Sequence, residues 1–155
     1  MKLNLGCGKD IKEGYVNCDF FSNDKNVKKV DLDKLPLPFK DSSIKEIIMK
    51  DTFEHLHVDR LEFMKEIHRI LKPNGMIKIE VPTFTFSADH TIPMITNSYF
   101  DAMCKRTEFV NEDYYHKYFT MNLKKTRRPF ISMVWKIREI LEFVFISKFE
   151  WELKK

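Results

Sequence analysis

The feature that most constrains this chain is the crowding of short apolar runs into its first half. Leu3–Leu5, Tyr15–Cys18, Val27–Val30, Ile44–Met49 and Met76–Val81 are too short for helices, and Gly, Pro or Asp breaks them. They read as strands of one sheet. The first runs into the turn Gly6-Cys7-Gly8, the second ends at Asp19, the third at Asp31, and the fourth is followed by Lys50 and Asp51. Pro82 ends the fifth. One helix is predicted between the last two. Val58, Leu61, Met64, Ile67, Ile70 and Leu71 recur at three- and four-residue spacing and share a face. Lys72 sits in its last turn and Pro73-Asn74-Gly75 stops it. A helix that turns at once into a strand is the crossover that parallel strands need.

The pattern loosens after Pro82. Thr83–Asp113 reads as loop with short helices, Tyr118–Leu123 as a strand and Pro129–Ser147 as a helix. Phe149-Glu150-Trp151-Glu152-Leu153 alternates apolar and charged residues, as an edge or antiparallel strand would. The length of 155 residues suits one domain, 1–155, with 1–83 and 84–155 as its halves. At 43 % apolar and 32 % charged residues, the chain can bury one core and does not read as disordered.

Cys7, Cys18 and Cys104 are odd in number and form no CxxC pair, so a reducing, cytoplasmic setting is expected and a disulfide framework is not. The five histidines do not fall at ligand spacings near the cysteines, and no metal is expected. Gly6 interrupts the start before an apolar leader could form, and no run approaches 18 uncharged apolar residues, so neither signal peptide nor membrane span is expected. The net charge of +4 is uneven. Tyr114–Lys155 holds ten Lys/Arg against four Asp/Glu (+6), leaving seventeen against nineteen (−2) before it. An anionic partner would meet the C-terminal part.

Ligands of open α/β sheets bind where strands end at their carboxyl edge, so the groups placed there are the site candidates. Gly6 and Gly8 let the backbone turn tightly and approach a ligand with no Cβ in the way; an ordinary glycine turn is the alternative. Asp19 stands where an acid accepts from both hydroxyls of a ribose, or is a solvated loop aspartate. Asp31 and Leu32 pair a short acid with an apolar neighbour, suited to an adenine; the Leu35-Pro36-Leu37-Pro38-Phe39 behind them reads equally as a rigid connector. Asp51-Thr52-Phe53-Glu54-His55-Leu56 puts polar groups at the same edge, with Glu54 also suited to complement a helix dipole.

Taken in order, these elements resemble the class I methyltransferases, specifically the group with a type 11 methyltransferase domain. The resemblance runs from Leu3-Asn4-Leu5-Gly6-Cys7-Gly8 through Val16-Asn17-Cys18-Asp19, Asp31, Leu37-Pro38-Phe39 and Phe53-Glu54-His55-Leu56. It closes on Glu66-Ile67-His68-Arg69-Ile70-Leu71-Lys72-Pro73-Asn74-Gly75, covering roughly residues 2–83. It implies an α/β fold, a Rossmann-like mostly parallel sheet with a C-terminal antiparallel strand, and S-adenosylmethionine as cofactor. Gly6 and Gly8 would lie against the methionine part and Asp19 would hold the ribose, with Asn4, Cys7 and Phe20 as further cofactor-binding candidates. Asp31 and Leu32 would meet the adenine, with Lys50, Asp51 and Thr52 at the sulfonium. Two departures stand out. Asn4 occupies a position where the family usually carries an acid, and only Lys9–Gly14 separates the glycine turn from the second strand, so the first helix is expected to shrink to about a turn.

The resemblance implies methyl transfer to an acceptor that the sequence does not identify; a catalytically weak cofactor-binding scaffold is the alternative. His55, His57, His90 and His116 are candidates for a base, none singled out, and each, like His68, reads equally as a surface or helix-face residue. Lys124-Lys125-Thr126-Arg127-Arg128 reads as a solvated loop rather than a nucleic-acid contact, because no aromatic residues interleave it. Thirteen large apolar residues between Phe130 and Phe149 suit a helix buried over the sheet, a homodimer seam or, with their basic neighbours, an anionic membrane face.

Overall fold

A computed structural model describes residues 1–82, 120–127 and 146–155. The strands are β1 (Lys2–Leu5), β2 (Val16–Asp19), β3 (Lys28–Lys29), β4 (Ile44–Lys50), β5 (Leu71–Pro82), β6 (Thr120–Arg127) and β7 (Ile146–Lys154). They form one sheet in the order β3-β2-β1-β4-β5-β7-β6. β1 to β5 pair in parallel, while β7 runs antiparallel to both β5 and β6. The expected antiparallel strand is therefore present, but it lies inside the sheet rather than at an edge. The basic run expected in a loop falls in β6 up to Arg127, because pairing with β7 carries the strand through it. Of the helix expected over Pro129–Ser147, Ile146 and Ser147 belong to β7, and 129–145 lie outside the described residues, as do 83–113.

Helix α1 (Arg60–Ile70) links β4 to β5. The Asp59 side chain accepts from the Glu62 amide at its start, an aspartate N-cap that satisfies one of the first-turn donors. At its far end Lys155 Nζ donates to the carbonyls of His68 and Leu71, both at 2.8 Å, placing a cation at the negative pole of the helix. A 3₁₀ turn, Phe53–His55, precedes the helix.

Register and side-chain alternation sort the sheet into two faces. One row runs Leu3–Ile47–Ile77–Leu153 and the next holds Leu5, Met49 and Ile79; all are fully buried. They join Phe63, Met64, Ile67 and Ile70 of α1, and Leu32, Leu37 and Phe39 of the β3–β4 connection, in one core. The other face carries Asn17, Asn4, Ile48, Lys78 and Glu152 in one row, Lys2, Glu46 and Met76 in another, and Lys50 and Glu80 in a third. Lys2 pairs with Glu46 at 2.8 Å on it.

No α-helix lies in the connections 6–15, 20–27 and 30–43. The first helix, expected to be shortened, is replaced by turns. Asn4 and Asn17, opposite each other in β1 and β2, hold the first connection in its place. Asn4 Nδ2 donates to Asn17 Oδ1 (2.9 Å) and to the Asp10 carbonyl (2.7 Å). Asn17 accepts from the Lys12 amide and donates to the carbonyls of Lys12 and Tyr15. Backbone groups that a helix would pair internally are here paired to two buried side chains.

Candidate cofactor site at the carboxyl edge of the sheet

β1 ends in a turn whose two glycines have φ of +65° (Gly6) and +49° (Gly8), the left-handed region that side chains disfavour. They serve different ends. A Cβ on Gly6 would stand 2.3 Å from Thr52 Oγ1 and Cγ2, so Gly6 lets the turn pack against the end of β4. Thr52 Oγ1 donates to the Lys50 carbonyl at 2.8 Å. A Cβ on Gly8 would meet nothing within 4 Å, so the backbone there faces open space. Between them Cys7 is buried and its amide donates to the Cys18 carbonyl, extending the β1–β2 ladder. Burial pushes the Cys7 thiol up and that of Cys18 to about 11, so neither is a ready thiolate nucleophile.

Asp19 closes the turn from the side. Its Oδ2 accepts from the Gly8 amide at 2.9 Å, and its Oδ1 from the amides of Phe21 (2.8 Å) and Ser22 (2.7 Å). A carboxylate has about four lone-pair sites. Asp19 thus clamps the glycine turn to the β2–β3 connection and keeps capacity for a ligand hydroxyl. Phe20, 41 % exposed, presents an aromatic face beside it, with Phe21 edge-on at 5.1 Å and 85 % exposed. Lys34 Nζ bonds Asp31 Oδ2 at 3.1 Å and lies 6.0 Å from the Phe20 ring, which brings Asp31 to the same corner. Leu32 joins the core. At the end of β4, Lys50 Nζ stands 4.0 Å from Glu80 Oε1, and Asp51, with φ of +45°, donates its amide to the Glu80 carbonyl.

The predicted residues thus gather along one edge: Gly8 with Asp19, Phe20 with Asp31, and Gly6 with Thr52. Asn4 lies beneath the turn rather than on it, its amide given to Asp10 and Asn17. The sequence reading missed Asn17, although a polar residue amid two short apolar strands signalled it. It also missed Asp33, whose Oδ1 accepts from the amides of His57 (2.7 Å) and Val58 (2.9 Å), tying the β3–β4 connection to the entry of α1. Against partial burial, those amides hold the Asp33 carboxyl below its usual range. His57 Nδ1 lies 3.3 Å from Asp33 Oδ2. His90 and His116 lie outside the described residues.

A further tie sits behind the site. Glu66 accepts from Arg69 Nη2 and the Leu37 amide, both at 2.6 Å, and Arg69 also reaches the Phe39 carbonyl and Asp41. Arg69 holds the Glu66 carboxyl below the usual range.

This geometry places the chain among known folds. The mostly parallel sheet with its antiparallel β7 has the Rossmann-like fold of solved S-adenosylmethionine-dependent methyltransferases. Residues 7–79, just under half of the chain, match the model of a methyltransferase domain, type 11. The fold resembles an S-adenosylmethionine-dependent methyltransferase from Archaeoglobus fulgidus, with TM-score 0.70 and 17 % identity over 99 % of this chain and 85 % of that one. It also resembles a putative methyltransferase from Haloferax volcanii solved with the Trm112 activator (TM-score 0.61, 16 % identity, 99 % and 81 % covered). A third likeness is to phosphoethanolamine N-methyltransferase 2 of Haemonchus contortus in complex with S-adenosylmethionine (TM-score 0.58, 13 % identity, 99 % and 48 % covered). A sequence search of curated proteins gave no match. S-adenosylmethionine is the cofactor of the domain family. Among the described residues no helix is long and apolar enough to cross a membrane.

Proposed function

We propose that the chain binds S-adenosylmethionine where β1, β2 and β4 end, and that it transfers the methyl group to an acceptor nucleophile. The observation that carries this is the open space before Gly8, flanked by the Asp19 carboxylate and the exposed Phe20 ring. Gly8 admits close approach of the methionine part, Asp19 accepts from the ribose, Phe20 offers a face for the adenine, and Lys50–Thr52 border the sulfonium end. When bound, the cofactor supplies a methyl on a sulfonium: the acceptor's lone pair forms the new bond to carbon as the carbon–sulfur bond breaks and its electron pair stays on sulfur. The chain's own contribution is to fix the two reactants in line. A proton on the acceptor passes to solvent.

Titration calorimetry with S-adenosylmethionine and its demethylated product tests this. Saturable binding is expected. Because Phe20 is exposed, Phe20→Ala leaves the fold intact, and it should weaken binding by about 1–3 kcal/mol, the worth of one base–aromatic stack. No binding to the wild-type chain would favour the second reading, a scaffold with the fold but little catalysis. The observation on its side is Asn4, whose amide is bound into the loop where the family's acid would stand.

A further inference from the structure

Sheet register brings the basic run of β6 to the same edge as the cofactor site. β7 is antiparallel to β5, with Pro82 opposite Lys148, and β6 is antiparallel to β7, with Thr126 opposite Lys148 and Arg127 opposite Ile146. The carboxyl end of β6 and the start of β7 therefore lie beside the carboxyl end of β5. Lys124, Lys125, Arg127 and Lys148 fall in that half of the two strands. The acids near them are Glu150, opposite Lys124, and Glu80, opposite Glu150 and 4.0 Å from Lys50. Lys124 shares the row of these two acids, and no acid in β6 or β7 lies edgeward of Glu150.

Resting on the cofactor reading above, we propose that the methyl acceptor is a small phosphate-bearing molecule whose anionic group binds at the ends of β6 and β7. One register row, Lys50–Glu80–Glu150–Lys124, crosses from β4 to β6. At about 4.8 Å per strand step, β7 lies two steps and β6 three steps from the strand that borders the sulfonium. The acceptor's nucleophile and its phosphate are then separated by roughly 10–14 Å. That separation suits a phosphorylated metabolite and leaves the reacting atom clear of the cationic cluster. The cluster also raises the local concentration of such an anion, an effect that salt screens.

The test titrates the full chain, saturated with S-adenosylhomocysteine, with pyrophosphate as the probe. The expected result is saturable binding, weakened about tenfold or more in the variant Lys124→Gln/Arg127→Gln/Lys148→Gln. Lys154→Gln, at the opposite end of β7, should leave pyrophosphate binding unchanged. Lys124→Arg/Lys148→Arg, which keeps the charge, should retain it. S-adenosylhomocysteine affinity should stay within about twofold in the triple variant, which also shows that the sheet has folded. Absence of pyrophosphate binding, or binding that the triple variant leaves unchanged, overturns the inference while the cofactor site stands. Capture of an RNA oligonucleotide or an anionic vesicle that excess pyrophosphate does not displace overturns it as well. If the wild-type chain does not bind S-adenosylhomocysteine, the cofactor reading fails first and the acceptor assignment falls with it.

Discussion

The two faces of the sheet solve the same problem by different means. On one, Leu3, Leu5, Ile47, Met49, Ile77 and Ile79 lose all contact with water beneath α1 and the β3–β4 connection. On the other, Asn4 is just as deeply placed, 2 % exposed, yet what it meets is a loop rather than a helix. Sheets of parallel strands usually bury both faces under helices, and their strands read as unbroken apolar runs. Here β5 alternates instead, Met76-Ile77-Lys78-Ile79-Glu80-Val81, one side apolar and the other charged. The lesson is that a crossover can give up its helix if the strands beneath it supply polar side chains in register. Among the described residues, burial, which is non-directional, holds one face, and a few directed amide bonds hold the first crossover on the other.

The largest expected effect is on the apolar face. Phe63→Ala should destabilise the chain by about 3–5 kcal/mol in denaturant titration. Ile48→Ala, on the polar face and only half-buried, should cost well under that; an equal loss at both would break the comparison. Next comes the amide pair. Asn4→Ala leaves the Asp10 carbonyl without its donor and should cost about 1–3 kcal/mol. The double change with Asn17→Ala should cost less than the sum of the single changes, whereas strict additivity would show that the two side chains do not act together.

The Glu66–Arg69 tie carries a pH signature. Because the folded Glu66 pKa lies below its unfolded value, the stability it contributes is present above the unfolded pKa and is lost as pH falls through the folded one. Glu66→Gln should lower stability by about 1–2 kcal/mol near neutral pH and flatten the acid limb of the unfolding curve. An unchanged acid limb would assign that titration elsewhere. The smallest effect is expected at Lys155→Ala, about 0.3–1 kcal/mol from the end of α1, read as faster amide exchange in its last turn.

Much of the frame was legible in the sequence because it is local. Runs closed by Gly, Pro or Asp marked β1 to β5, and three- and four-residue spacing marked α1, although Val58 precedes the helix and Leu71 to Gly75, read as its last turn and stop, begin β5. The resemblance was carried by the order of short motifs, which survives the loss of a helix. What stayed hidden depends on register. Nothing near Asn17 in sequence shows that Asn4 faces it across the ladder, and nothing near Asp33 shows that it holds the amides of His57 and Val58. Lys124-Lys125-Thr126-Arg127 has no apolar alternation, so only its partner strand makes it a strand. The apolar run before Phe149 has no clean period, so its last residues, Ile146 and Ser147, gave no sign of joining β7.

The position of β7 has a consequence for synthesis. Among the described residues, β6 pairs with the rest of the sheet only through a strand that is made after it. While the chain emerges, β1 to β5 and α1 can assemble in order from local crossovers, but the open side of β5 has to wait. Seven of its residues, Met76 to Pro82, pair with β7, and that span stays available to other chains until residues 146–154 arrive. β7 is thus the strand that joins β5 to β6, and β5 is exposed to mispairing until it is made.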